Sequence, residues 1–186
     1  MKNLSLILLG LFLVLQSCGE DKKPIKKDKD AKAESTTQLT LDNTFKFEIN
    51  GDFPQSETPV VFWRTKEIGW FEEKNTVYGG TNGFSGNQTI AFEIPSNVTP
   101  ADFRIDISNN PEQKEIKVNF IRIVKGAKDF YVFGDELDKY FTFNDYITYN
   151  KENKKLSFKS IDGNYDPFLN MNEEFLKVFN RVYYNY

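Results

Sequence analysis

Three stretches of the chain bring reactive or ligating side chains together. In DGNYDPFLNMNE, residues 162 to 173, oxygen donors fall at Asp162, Asn164, Asp166 and Asn170, with Glu173 in the twelfth place. That resembles the spacing of a calcium loop, but the sixth place of such a loop needs a glycine at positive φ, and Pro167 stands there. The expectation is a polar turn without a metal or any other cofactor. Carboxylates form the second group: Asp102 and Asp106 share one face of an alternating stretch, with Arg104 between them, and Asp135, Glu136 and Asp138 cluster downstream. A glycosidase uses two such groups, roughly 5 to 10 Å apart. Here Arg104 is available to neutralise its neighbours, and the chain has no His and no Ser or Cys nucleophile signature. The expected reading is a solvated strand face on a non-catalytic protein.

Aromatic residues form the third group. VVFWRTKEIGWFEE sets Phe62 beside Trp63 and Trp70 beside Phe71, and neighbours along a strand point to opposite faces. One member of each pair is therefore expected at a surface or under a loop, where an indole face can stack on a sugar ring. Trp63 and Trp70 are the candidate stacking residues. Tyr78, Asn82, Asn87 and Gln88, in the glycine-rich VYGGTNGFSGNQ, are candidates for the hydrogen bonds such a site needs. The competing reading packs the rings in the core.

The one cysteine, Cys18, answers a different question. Lys2 is followed by an apolar run from Leu4 to Leu15, then by small or polar residues up to the thiol. This is the layout of a secretory signal over residues 1–17, too short for a comfortable membrane span of roughly 20 residues. Leu15-Gln16-Ser17-Cys18 resembles a bacterial lipobox, apart from Gln16 in a place that usually holds a small or β-branched residue. The resemblance implies cleavage before Cys18 and acylation of its thiol. Acyl chains contribute about 0.8 kcal/mol per buried methylene, so two or three of them hold a protein on a bilayer. The expected partner is thus a lipid bilayer, and the expected location is the bacterial envelope, anchored to the outer membrane.

Behind Cys18 the composition changes. Residues 18–39 carry no aromatic side chain and are dominated by Lys, Asp, Glu and small residues. Such a segment cannot bury enough apolar surface to offset its ordering entropy, and is expected to be a disordered tether with a reach of roughly 25 Å. Glu20 and Asp21 resemble the acidic export patches of some outer-surface lipoproteins. From residue 40 onward the chain is rich in Phe and Tyr, and this length suffices for one core-forming domain over 40–186. A net charge of −3 with no concentrated basic face argues against a nucleic-acid partner.

The periodicity is that of strands. Phe45 to Ile49, Ile90 to Ile94, Phe103 to Ile107 and Leu156 to Ile161 alternate apolar with polar residues, and each ends at a Pro, Gly or Asn cluster or shortly before one. Between Ile116 and Val124 the apolar phase slips by one residue, which predicts a β-bulge near Phe120-Ile121. Thr58 to Arg64, a run around Trp70-Phe71, Phe130 to Phe133 and Tyr146 to Tyr149 are further expected strands. Glu136 to Phe141 reads as helical or irregular. In the tail Glu173 to Tyr184, Phe175, Leu176, Phe179, Val182 and Tyr183 keep helical spacing. The fold class expected is all-β, a β-sandwich or jelly roll with a short C-terminal helical or irregular tail.

TIAFEIPSNVTPADFRIDISNNPEQKEIKVNFIRI and YFTFNDYITYNKENKKLSFKSIDGNYDPFL, with Arg104-Ile105-Asp106 and Asp166-Pro167 as their motifs, carry a family resemblance. They are similar to extracytoplasmic β-sandwich modules found in bacterial lipoproteins and fused to membrane glycosyltransferases and polysaccharide-related membrane proteins. The resemblance implies a jelly roll of the carbohydrate-binding or galactose-binding-like type. Two functions from different classes follow: a module that binds a saccharide of an envelope or extracellular polysaccharide, and a structural or assembly lipoprotein that docks onto another envelope protein.

Overall fold

The computed structural model describes residues 43–81 and 86–185. The leader, Cys18, the tether and Asn82 lie outside the described residues.

Alternation decides which side chains enter the core. Along β1 (Lys46–Asp52), Phe47 and Ile49 are buried while Lys46 and Glu48 face outward. The order continues with β2 (Val60–Arg64), β3 (Thr76–Tyr78), β4 (Asn87–Glu93), β5 (Asp102–Asp106), β6 (Glu115–Lys125) and β7 (Lys128–Phe133). A short α1 (Leu137–Tyr140) leads into β8 (Phe141–Phe143), β9 (Ile147–Asn150), β10 (Lys155–Phe158), β11 (Phe168–Met171) and α2 (Glu173–Tyr184). Two antiparallel sheets result. The first runs β4-β1-β6-β10-β9, with β7 also paired to β6, and the second runs β3-β2-β5-β11-β8. The domain is an all-β sandwich with a short C-terminal helix.

β6 is long because it serves two partners. β1 runs along one of its sides, while the other is shared by β10, paired to 115–117, and β7, paired to 120–125. Opposite β1 the register jumps from Asn50↔Phe120 to Gly51↔Val118, so Asn119 is the extra residue of a bulge. The phase slip in the sequence marks it to within a residue. The amide of Gly134 donates to the Asn119 carbonyl at 2.8 Å, and a Cβ at this glycine would collide with the Val118 carbonyl.

Aromatic rings join the two inner faces. Phe47 meets Phe103 across the sheets with centroids 4.8 Å apart. Helix α2 adds Phe175, Phe179 and Tyr183 to the same cluster: Phe179 lies 5.8 Å from Phe45 and 5.5 Å edge-on from Phe103, and Phe175 packs on Phe130 and Phe141. The helix starts where Asn172 Oδ1 accepts from the Phe175 amide at 3.1 Å, with Glu173 and Glu174 in the favourable first turn. It ends at Asn185 in the left-handed region, φ 61°.

Two expectations need correction, and a third is made specific. Trp70-Phe71 is not a strand, because Arg64 holds the Gly69 carbonyl and the segment folds back as a loop. Glu136 to Phe141 follows the helical one of its two readings, with a single turn, Leu137–Tyr140, that passes directly into β8. The stretch 162–173 is more than a turn, since after Pro167 residues 168–170 pair with β5 and residues 169–171 with β8. Its strand is short and interrupted by polar Asn170, so no clear alternation announces it.

Phe179 is fully buried among five other rings, and replacing it by Ala leaves a cavity that neither sheet can close. Phe179→Ala should cost about 3 to 5 kcal/mol in urea unfolding. A loss below about 1 kcal/mol would show that α2 is an accessory to the core.

Candidate functional site: the groove beside the Trp70 loop

Arg64, the last residue of β2, faces outward opposite Asp102, the first of β5. Its Nε and Nη2 donate to Asp102 Oδ2 at 2.9 and 2.6 Å, and its Nη1 donates to the Gly69 carbonyl at 2.7 Å. The guanidinium also lies over the Phe71 ring, 5.3 Å from its centroid. One arginine thereby ties the end of the second sheet to both sides of Trp70. Trp70 is 67% exposed, yet its indole is held: Nε1 donates to Glu72 Oε1 at 3.1 Å. Glu72 is itself fixed by Lys74 at 2.8 Å, and this hydrogen bond keeps its carboxyl below the ordinary range. The Asn75 amide donates to the Glu72 carbonyl, and the Asn75 carbonyl accepts from Trp63, which returns the loop to β2.

Beside this loop lies a groove of about 460 Å³. Thr65, Lys66 and Glu67 line it on the loop side, and residues 97–101 form the facing wall. Tyr184 of α2 completes it and donates from its hydroxyl to the Pro100 carbonyl at 2.6 Å. A smaller hollow of about 260 Å³ shares Thr65, Lys66 and Ala101 and reaches Gly69, the residue before Trp70. The lining mixes hydroxyl, amide and charged groups with apolar Val98 and Pro100, a composition that suits a polar ligand with an apolar side.

The expected site residues are scattered. Trp70 is exposed on the loop whose residues 65–67 line the groove, without lining the groove itself, while Trp63 is 5% exposed and belongs to the core, which overturns the stacking role expected of it. Alternation sends 61 and 63 inward and leaves Phe62 outside, where it packs on Arg104. Tyr78 is 66% exposed on the edge strand β3. Asn87 and Gln88 lie on β4, in the other sheet, so they do not meet Trp70 through the second sheet's outer face. Thr65, Asn97, Thr99 and Tyr184 were not anticipated. They come from three distant segments, and no local pattern marks them.

Asp102 and Asp106 are explained by arginines, while Asp135, Glu136 and Asp138 pair with Lys154, Lys139 and Lys151. Arg64 takes Asp102, while Arg104 makes a two-pronged contact with Asp106 at 2.6 and 3.0 Å and reaches Asp166 at 3.5 Å. Arg104 also lies over Phe168 at 4.0 Å and Phe62 at 5.2 Å. The Arg104-Ile105-Asp106 and Asp166-Pro167 motifs thus meet at one clamp between β5 and the entry to β11. Among the described residues, no group of three or more carboxylates, His or Cys is placed to hold a metal.

No protein-family model, curated protein or solved structure matches this chain.

Burial raises Asp102 above its ordinary value of 3.8, and the hydrogen bonds from Arg64 and the Phe103 amide offset this only in part. A carboxyl raised in the folded state holds its proton more tightly there than in the unfolded chain. Its contribution to stability therefore falls as pH rises through the window above 3.8. Asp106, raised by the same cause, adds in the same direction. Asp102→Asn should flatten the pH dependence of stability in that window, measured by urea midpoints between pH 3.5 and 6. An unchanged profile would remove Asp102 as its source.

Proposed function

We propose that this chain is a lipid-anchored lipoprotein of a bacterial envelope whose β-sandwich binds saccharide without catalysis, at the groove beside Trp70. The observation that carries the reading is an indole presented to solvent and yet fixed at its nitrogen, on a loop whose residues 65–67 line a concave groove of hydroxyl, amide and charged groups. A free indole on a mobile loop loses entropy when it stacks. One already held by Glu72, with its loop pinned by Arg64, is organised in advance. The apolar face of a pyranose can cover the ring while its hydroxyls exchange water for the polar groove wall. The anchor rests on the sequence at Cys18 and its lipobox-like surroundings, together with the tether of 18–39.

A second reading, a structural lipoprotein that docks onto another envelope protein, is favoured by Tyr78. An exposed aromatic on an edge strand is a handle for strand addition by a partner.

Trp63 and Trp70 are the only two tryptophans, and only the second is exposed. On a glycan array the protein should give saturable binding to an envelope or extracellular glycan, with quenching of the exposed indole. Trp70→Ala should weaken this by roughly tenfold, while the emission of Trp63 and the thermal unfolding stay as in the parent. Retained affinity in the variant would sink the assignment of the groove, and silence across the array would shift the reading to protein docking. Separately, Cys18→Ser should move the protein from the detergent phase to the aqueous phase on Triton X-114 partition. A variant still in the detergent phase would refute acylation at Cys18.

A further inference from the structure

The outer face of the first sheet carries a set of rings that the core does not use. Without its bulge β6 would continue to send even-numbered residues inward; Asn119 shifts the phase, so Phe120 turns out beside Phe133 of β7. Tyr131 stands two residues before Phe133 on the same face. The Tyr131 and Phe133 rings are parallel to within 13°, with centroids 5.9 Å apart, and Phe120 meets Tyr131 edge-on at 5.4 Å. Phe133 remains 50% exposed. Outward aromatics clustered on a sheet face, one of them half exposed, mark an interaction surface.

The next side chains along the same row are neutral amides and a hydroxyl. Asn119 Nδ2 donates to Asn50 Oδ1 at 2.9 Å and to Asn87 Oδ1 at 2.6 Å, and Asn50 Nδ2 donates to Thr89 Oγ1 at 2.8 Å. Asn87 and Thr89 are exposed. The charge at the border of the rings is spent internally: Arg122 pairs with Glu48 and Asp129, both at 3.2 Å, and lies over Tyr131. Among the rings themselves the Arg122 charge is answered by Glu48 and Asp129, and a neutral polyhydroxyl chain finds ring faces and amides side by side.

We propose that this face is a second saccharide site, separate from the groove, that takes an extended neutral glycan. One sugar ring lies on Tyr131 and Phe133, and the chain continues over the bulge so that its hydroxyls reach Asn119, Asn87 and Thr89. The ligand is a polymer segment of at least two units, because one ring cannot cover both the aromatics and the amides. The site does not rest on the Trp70 groove and stands if that assignment fails.

Affinity electrophoresis of the full chain in detergent, with mannan, xyloglucan or laminarin in the gel, tests this. At least one of these neutral polymers should retard the protein, and alginate should not. Tyr131→Ala with Phe133→Ala should weaken the retardation roughly tenfold, and Asn87→Ala should weaken it less, while Trp70→Ala leaves it unchanged. Phe133→Gln, at a half-exposed ring, supplies a variant in which loss of binding is separable from loss of fold, checked by thermal unfolding. The proposal is overturned if none of the three polymers retards the protein, if both Phe133→Gln and the double variant bind as the parent does, or if only Trp70→Ala loses binding. It is equally overturned if sedimentation shows that Phe133→Gln converts a dimer to a monomer, which would make the rings a contact between two copies, or if the rings capture a protein in place of the glycan.

Discussion

The packing of α2 into the aromatic cluster is the contact on which the rest of the sandwich depends. Phe45 leads into the first sheet and Phe47 lies in it, Phe103 and Phe141 come from the second, and Phe175 and Phe179 from the helix. Each ring touches others from different elements, so the cluster can form only when both sheets and the helix are in place. Buried aromatics carry large apolar surfaces, and their edge-on contacts add to that burial. The helix is also bound at its end by polar contacts, Tyr183 donating to the Ile123 carbonyl at 2.6 Å and Tyr184 to that of Pro100.

That last contact links core to surface. Tyr184 lines the groove, so the seating of α2 against the core also shapes the proposed saccharide site. Arg64 does the corresponding work from the second sheet: with Asp102 behind it and Gly69 and Phe71 before it, it passes the rigidity of paired strands to the Trp70 loop. On the opposite sheet the bulge at Asn119 plays a different part. It lets β6 pair with β10 and β7 in turn, and the same residue shift brings Phe120 to the surface and places the Asn119 amide between Asn50 and Asn87. One extra residue thus serves both topology and surface chemistry.

The groove is lined by hydroxyl, amide and charged groups, and the outer face of the first sheet sets rings beside amides. Asp102 and Asp106, the most chemically suggestive residues of the second sheet, are each held by an arginine. Their raised proton affinity follows from burial, and Arg64 and Arg104 are what make that burial tolerable. The two acids belong to the clamps that hold strands and loops.

By itself the sequence determined what depends on periods and local chemistry. Alternation in Phe45 to Ile49 and Phe103 to Ile107 marked strands, the slip near Phe120-Ile121 marked the bulge to within a residue, and the spacing of Phe175, Phe179 and Tyr183 marked the helical face, because pleat and helix repeat on scales that a short window contains. Register and loop path lie beyond such a window. Only the tertiary structure decided that Trp63 faces inward while Trp70 stands in solvent, since that depends on which face of β2 meets Phe47 and on where Arg64 finds Gly69. It alone placed Thr65, Asn97 and Tyr184 around one groove, because loops and a helix far apart in the chain pack together there, and Phe120 beside Phe133, because the β6-β7 register sets them opposite.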